Sequence, residues 1–150
     1  MKKTNRAVSP GREQCFALME AYNMLPHIQR HSAAVSEVAV SIAEALNAAG
    51  HCYRIADIEA AGLLHDIRRK EKYHAAAGAR YARQVLRDYQ FSESDTEDIC
   101  LAIANHEAFG QNLKGETKAS SLLSNCLYDA DKFRWGPENF THTLWAMVSY

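Results

Sequence analysis

Long stretches of this chain run without a helix-breaking residue, and this continuity limits the fold more than any other feature. Only three prolines and seven glycines occur in 150 residues, mostly at the ends of apolar segments. Valine and isoleucine are sparse, alanine and leucine are abundant, and apolar residues recur every three or four positions rather than every second one. Such spacing is typical of amphipathic helices and not of strands. The sequence therefore predicts an all-α fold.

The breaks between these segments predict one helical bundle of about six to seven helices. Pro26 would separate the first two helices, and Gly50 would end the second. Ser94, followed by Glu97, would be the N-cap of the fifth helix. Residues 1–11 are expected to form a flexible N-terminal arm, and residues 12–150 a single domain. The predicted helices span about residues 12–24, 27–49, 54–67, 73–90, 94–107 and 119–133, with a loop over 108–117 and a last helix after Pro137.

The charge balance and the cysteines exclude several classes of protein. The formal net charge is −1 with the seven histidines neutral, whereas a large nucleic-acid or anionic-membrane surface requires a strong basic excess. No uncharged apolar run is long enough for a membrane span, and no apolar stretch of a secretory signal follows the basic start. The four cysteines form no CxxC pair, which indicates reduced thiols. We therefore expect a cytoplasmic protein.

Six potential metal ligands fall on or beside the apolar faces of five predicted helices. Four histidines and Asp131 share the helical phase of neighbouring apolar residues, and Asp66 directly follows one of these histidines. A buried carboxylate must pair or bind a metal, and helical bundles hold metals with side chains from facing helices. One inward histidine is ordinarily a hydrogen-bonded core residue, but this set favours a metal site. The four histidines are His31, His65, His74 and His106.

The ligand types narrow the identity of the metal. Imidazole and carboxylate without thiolate suit iron, manganese, cobalt, nickel or zinc in sites that keep water ligands. A closed structural zinc site is not expected, because such sites ordinarily use cysteine. The sequence thus predicts a divalent metal cofactor, with one or two ions per chain.

The order of these residues resembles the HD superfamily of metal-dependent phosphohydrolases. The His65-Asp66 pair follows an alanine- and leucine-rich helix, His31 lies upstream, and Asp131 lies downstream in an Ala-Asp-Lys-Phe sequence. The resemblance covers about residues 27–135 and implies an HD-type helical domain whose metal ligands are His31, His65, Asp66 and Asp131. Asp131 precedes a basic and an apolar residue, as the family's last aspartate does. Asp129 is the alternative for that position.

Two further histidines resemble the extra ligands of the superfamily branches that hold two metals. His74 and His106 fall between the central pair and the last aspartate. The sequence around His106 is similar to the cyclic-di-GMP phosphodiesterase branch, but Asn105 stands where that branch has another histidine, and no Gly-Tyr-Pro follows. Hydrolysis of cyclic di-GMP is therefore not expected. The resemblance implies a second metal ion bridged by Asp66. The alternative is one metal, with His74 and His106 binding the substrate phosphate.

Basic residues beside the predicted ligands are candidates for substrate binding. Arg68, Arg69 and Lys70 follow the His-Asp pair, and Lys132 follows Asp131. Guanidinium and ammonium groups at the opening of the site would bind a phosphate. Arg69 occupies the place where superfamily members often have a lysine, so it is expected to contact substrate rather than metal. A run of basic residues is otherwise a solvated surface.

The resemblance implies hydrolysis of a phosphomonoester or phosphodiester on a small nucleotide-like molecule through a metal-activated hydroxide. Asp66 and Arg69 would be the catalytic residues, and the partner would be a small-molecule phosphate substrate. The sequence is also compatible with a homodimer. Two alternatives stay open: a mixed-valent di-iron oxygenase of the same superfamily, which uses the same six ligands, and a non-catalytic signalling domain.

Overall fold

The computed structural model describes residues 10–89, 92–107 and 121–133. Within these residues the protein has six α-helices and no β-strand, so the predicted all-α fold is confirmed. The helices are α1 (Arg12–Ala21), α2 (Pro26–Ala48), α3 (Ile55–Leu64), α4 (His74–Leu86), α5 (Glu93–Asn105) and α6 (Leu122–Phe133), and a short 3₁₀ turn (Arg87–Tyr89) follows α4. The predicted loop over 108–117, the predicted last helix and residues 1–9 of the predicted arm lie outside the described residues. No helix among the described residues is long and apolar enough to cross a bilayer.

The C-termini of the first two helices depend on residues with positive φ. Helix α1 ends at Ala21, earlier than predicted, because Asn23 adopts a left-handed φ of 55°. The amide of Met24 then donates to the carbonyl of Met19 at 2.9 Å, which closes the last turn. Gly50, with a φ of 102°, follows α2 as the sequence predicts. Both ends have the hydrogen-bond pattern in which a left-handed residue caps a helix.

The predicted N-cap of α5 is wrong by two positions. Ser92, not Ser94, precedes the helix, and its hydroxyl accepts a hydrogen bond from the amide of Asp95 at 3.1 Å. Ser94 lies inside the first turn and is exposed. Two serines separated by one residue carry nearly the same capping signal, and the path of the chain into the helix decides between them.

Helix α3 lies at the centre of the bundle and contacts α1, α2, α5 and α6. Its second half is buried on every side, as expected of a helix that is apolar all round. Gly62 lets α3 approach α2 closely, since a Cβ atom at this position would lie 2.7 Å from the Cα atom of Ser36. This central position holds the His65-Asp66 pair, which follows α3 directly, inside the core.

The cysteines agree with the reduced state expected from the sequence. All four are free thiols; Cys15, Cys100 and Cys126 are buried, and Cys52 is exposed. Burial raises the pKa of Cys15 to about 12 and those of Cys100 and Cys126 to about 11. Thiols with such raised pKa values are poor nucleophiles and poor metal ligands at neutral pH.

Candidate metal centre

Five segments of the bundle bring the six predicted ligands to one buried point. His31 lies in α2, and the His65-Asp66 pair lies immediately after α3. His74 is the first residue of α4, His106 follows α5, and Asp131 lies in the last part of α6. All six side chains are buried, whereas Asp129, the alternative for the last aspartate, is exposed.

The carboxylate of Asp66 lies between two pairs of imidazoles. Its Oδ2 atom is 3.6 Å from Nε2 of His31 and 3.6 Å from Nε2 of His65. Its Oδ1 atom is 3.2 Å from Nε2 of His74 and 3.3 Å from Nε2 of His106. Each oxygen therefore faces its own pair of nitrogen atoms, which is the arrangement of a carboxylate able to bridge two ions.

Asp131 lies on the Oδ2 side of this arrangement. Its Oδ1 atom is 3.1 Å from Nε2 of His31 and 3.9 Å from Nε2 of His65, and these two nitrogen atoms are 3.3 Å apart. His31, His65 and Asp131 form one group whose ligand atoms all lie within 4.8 Å of one another, and His65, Asp66 and His106 form another. His74 belongs to neither group; it lies beside Asp66 and Arg69, and its ring centroid is 5.2 Å from that of His106.

Hydrogen bonds to backbone carbonyls orient two of the imidazoles toward the centre. Nδ1 of His65 is 2.7 Å from the carbonyl oxygen of Gly62, and Nδ1 of His106 is 2.6 Å from that of Ile103. Because a carbonyl oxygen can only accept, each Nδ1 atom carries the proton and each Nε2 atom presents a lone pair to the centre. Histidine ligands of metals are ordinarily oriented by such hydrogen bonds.

Glu107 orients the imidazole of His74 in the same way, and the sequence analysis did not predict this role. Its Oε1 atom is 3.1 Å from Nδ1 of His74. Arg69 donates from its guanidinium to Nε2 of His74 at 2.6 Å, so Nε2 is the acceptor. In the sequence, only the position of Glu107 next to His106 indicates this role. Glu107 reaches His74 because the start of α4 lies against the end of α5 in the folded protein.

Charge and burial lower the pKa values of His65, Asp66 and Asp131. Burial lowers the pKa of His65 to about 4, so its imidazole is neutral at pH 7. Burial alone would raise the pKa of Asp66, but His65 and then His106 and His74 outweigh it and hold this pKa well below its usual value. The pKa of Asp131 is likewise lowered, because His31 and Lys132 outweigh the effect of burial. Neutral imidazoles and ionised carboxylates are the protonation states that bind metals.

Two polar atoms at the centre have no hydrogen-bond partner among the residues that the structure describes. Oδ1 of Asp66 and Nε2 of His106 are buried and accept no hydrogen bond from these residues, although the two atoms lie 3.3 Å apart. The proton of His106 is on Nδ1, so both atoms present lone pairs to each other. A cation between them would satisfy both, since buried polar groups otherwise need a hydrogen bond. The residues present therefore fit a divalent metal.

Two of the predicted substrate-binding residues contact this cluster. Besides His74, the guanidinium of Arg69 lies 3.7 Å from Oδ1 of Asp66, and its side chain is 40% exposed. The ammonium group of Lys132 donates to Oδ2 of Asp131 and to the carbonyl oxygen of His106, both at 2.9 Å. Arg69 thus joins solvent to the cluster, and Lys132 connects the end of α5 to α6.

The other two basic residues have different contacts. The guanidinium of Arg68 donates to Glu71 and lies 4.4 Å from the ring centroid of Tyr22. The ammonium group of Lys70 donates to the carbonyl oxygen of Asn23 at 3.0 Å. These contacts tie the turn after α3 to the end of α1. Substrate binding by Arg68 and Lys70 remains a prediction.

Asn105, which stands where one two-metal branch has a histidine, contacts a neighbouring helix. Its side-chain amide donates to the hydroxyl of Ser124 in α6 at 3.2 Å. This contact joins the end of α5 to α6, the helix that carries Asp131.

A cavity of about 170 Å³ opens beside the cluster. Asp66, which belongs to the cluster, and Arg69, which contacts it, both line this cavity. The sequence reasoning missed the cavity, because its walls come from the connection between α1 and α2 and from the turn after α3. Its lining consists of Tyr22, Asn23, Met24, Leu25, His27, Ile28, Asp66, Ile67, Arg69 and Lys70.

Fold and site together define an all-α protein with a buried His/Asp cluster able to hold a divalent metal. A family model described as the HD domain matches residues 28–136, which is most of the chain. The chain therefore belongs to the HD family, and the resemblance inferred from its motifs is confirmed. HD domains bind divalent metals, and membership supports a metal-dependent hydrolase.

The comparison with solved structures agrees on the fold. The crystal structure of a predicted HD superfamily hydrolase from an uncultured Thermotogales bacterium is similar, with a TM-score of 0.69 and 23% sequence identity. The match covers 91% of this chain and 76% of the other. A comparison with curated proteins gave no significant match.

Proposed function

We propose that this protein is a metal-dependent phosphohydrolase that cleaves a small, nucleotide-like phosphomonoester or phosphodiester. The observation that carries the proposal is the position of Asp66, whose two oxygens face two separate pairs of Nε2 atoms. A cluster open to a cavity on the Asp66 side suits hydrolysis better than a closed structural role.

The residues around Asp66 have distinct tasks in such a reaction. A divalent ion bound by His31, His65, Asp66 and Asp131 would polarise a phosphoryl oxygen and lower the pKa of a water molecule. Arg69 is placed to bind the phosphate, since its guanidinium is partly exposed and adjoins Asp66. In-line attack increases the negative charge on the phosphoryl oxygens, and a fixed guanidinium stabilises that charge. Lys132 holds Asp131 in place and adds positive charge.

The experiment is a hydrolysis assay with metal-free protein supplied with manganese or cobalt. We expect release of nitrophenol from p-nitrophenyl phosphate or from its bis-ester, and we expect Asp66→Ala to abolish it. Asp129→Ala is the matched control, because this exposed carboxylate lies outside the cluster; its activity should equal that of the unmodified protein. Equal loss in both variants would contradict the assignment.

Two other outcomes would lead to the alternative functions. Oxygen consumption by the iron-loaded protein without phosphate release would assign it to the di-iron oxygenases, which use the same ligands. Stoichiometric metal binding without turnover of any phosphate ester would indicate a non-catalytic signalling domain. We place the activity in the cytoplasm, a location supported by the four free cysteines.

A further inference from the structure

The cavity beside Asp66 differs chemically from the metal cluster that it adjoins. Its lining is mainly apolar and includes three buried apolar side chains, those of Met24, Ile28 and Ile67. Asp66 and Arg69 form its connection to the cluster. A molecule that places its phosphate at Asp66 and Arg69 therefore has an apolar surface directly beside that phosphate.

The walls of the cavity are held by contacts within the protein. Lys70 donates to the carbonyl oxygen of Asn23, and the hydroxyl of Tyr22 donates to Glu71 at 2.7 Å. These contacts connect the residues between α1 and α2 to the turn after α3. Because the two walls are joined in this way, the cavity does not depend on a ligand to form.

The size of the cavity limits what it can hold. An apolar protein cavity of about 150 Å³ accommodates benzene, so about 170 Å³ holds a single six-membered ring. Sites for drug-sized ligands are about 300–1,000 Å³. A purine nucleoside would therefore not be enclosed.

The apolar lining also discriminates by polarity. A sugar or polyol would lose its hydrogen bonds to water against Met24, Ile28 and Ile67 without regaining them there. An aryl or short alkyl group loses none and removes apolar surface from water. The lining thus favours an apolar group next to the phosphate.

We infer that this cavity binds the organic group of the phosphate ester and selects esters carrying one compact apolar or aromatic ring. The inference rests on the proposed phosphohydrolase function but departs from nucleotide-like substrates, because a nucleotide has a sugar between its ring and its phosphate. In the reaction, a bond forms between phosphorus and the water oxygen. The bond between phosphorus and the ester oxygen breaks, and that oxygen leaves with a proton from the water.

The test measures binding without turnover. Isothermal titration of the manganese-loaded protein with phenylphosphonate and with methylphosphonate compares two ligands that cannot be hydrolysed at an ester bond. We expect the dissociation constant of phenylphosphonate to be at least about tenfold lower, given the apolar surface that the ring buries. Equal dissociation constants, or no binding of either phosphonate, would overturn the inference.

A variant that fills the cavity distinguishes binding of the ring in the cavity, the proposed subsite, from binding of the phosphate at Asp66 and Arg69. Leu25 is half-buried and lines the cavity, so Leu25→Trp should remove the preference for phenylphosphonate and retain binding of methylphosphonate. Leu46→Trp is the matched control, since Leu46 is also half-buried but lies near the other end of α2. Should Leu25→Trp not fold, Leu25→Ala should weaken the preference several-fold. A preference unchanged in the folded Leu25 variant would overturn the subsite.

Hydrolysis assays distinguish a failed subsite from a failed function. If phenyl phosphate and methyl phosphate are hydrolysed with equal kcat/KM, the subsite is wrong and the phosphohydrolase stands. If neither is hydrolysed but phenylphosphonate still binds preferentially, the subsite stands and the phosphohydrolase is wrong.

Discussion

At the scale of single residues, the lone pair on Nε2 of His74 has two competing uses. Arg69 donates to this nitrogen at 2.6 Å, and Oδ1 of Asp66 lies 3.2 Å from it. One imidazole lone pair accepts either a proton donor or a metal, not both. An ion bound by His74 therefore requires Arg69 to turn away, and its partly exposed side chain then points to the opening of the site, where a substrate phosphate would arrive.

Replacement of Arg69 should weaken substrate binding and turnover more than metal binding. We expect Arg69→Ala to raise KM, to lower kcat, and to retain the ion held by His31, His65, Asp66 and Asp131. One lost charge-assisted contact corresponds to about 1.5–3 kcal/mol, or roughly tenfold to hundredfold in kcat/KM. Steady-state kinetics and metal analysis measure the two effects. The control is Arg87→Ala, which replaces an exposed arginine after α4. Unchanged kinetics in Arg69→Ala would mean that Arg69 is only part of a solvated surface.

The two histidines on the Oδ1 side of Asp66 should decide the number of metal ions. In the double variant His74→Ala, His106→Ala, we expect the metal content to fall from about two ions to one while circular dichroism shows the helical fold retained. Both Nε2 atoms lie within 3.3 Å of Oδ1 of Asp66, and two-metal phosphoryl-transfer sites clamp oxygens between ions about 3.5–4 Å apart. A single ion in the metal-replete unmodified protein would reassign these histidines to phosphate binding or proton donation.

At the scale of elements, the ends of helices place the site. Helix α3 ends at Leu64, α4 begins at His74 and α5 ends at Asn105, so four of the six predicted ligands lie at or just beyond a helix terminus. His65 and His106 keep right-handed helical φ and ψ values just beyond α3 and α5, so their side chains still follow the phase of the preceding turn. The adjacent residues His65 and Asp66 therefore both reach the cluster, with Nε2 of His65 3.6 Å from Oδ2 of Asp66.

Substitutions at the N-terminus of α5 test directly whether Ser92 or Ser94 caps this helix. Ser92→Ala should lower the free energy of unfolding by about 1 kcal/mol, because the amide of Asp95 loses its acceptor. Ser94→Ala should change it by less than about 0.5 kcal/mol, the usual effect of an exposed substitution away from such features. Denaturant unfolding of both variants gives the comparison, and a larger loss for Ser94→Ala would restore the N-cap expected from the sequence.

At the scale of the whole molecule, the cluster links elements that are distant in the chain. Its side chains come from α2, α4 and α6 and from the residues that follow α3 and α5. A metal that binds these groups only in the folded protein would stabilise all five segments together. Without a metal, the lone pairs on Oδ1 of Asp66 and Nε2 of His106 face each other, which disfavours the folded state.

Removal of metal should therefore lower thermal stability. A ligand at 1,000 times its dissociation constant adds about 4 kcal/mol, and each kcal/mol shifts Tm by about 2–4 °C in a protein of this size. We expect chelation to lower Tm by on the order of 10 °C, as measured by calorimetry. Asp131→Ala should abolish most of this shift and Asp129→Ala should retain it. Equal melting with and without chelator would contradict the metal centre.

The amino-acid sequence by itself determined the all-α class, the inward phase of the histidines and the HD family. These properties follow from helical periodicity and from the order of a few residues, which are local or linear features. Helix ends were less predictable, because Asn23 and Ser92 act through backbone conformations that neighbouring residues could also adopt.

Only the tertiary structure decided which atoms face each other. Arg68 and Arg69 are adjacent and of one type, yet Arg68 contacts Glu71 and Tyr22 while Arg69 contacts His74. The pairing of Glu107 with His74 and the apolar cavity beside Asp66 likewise depend on segments far apart in the chain. Hydrophobic patterning shows that a face is buried, but the crossing of the helices sets which side chains from other segments meet it.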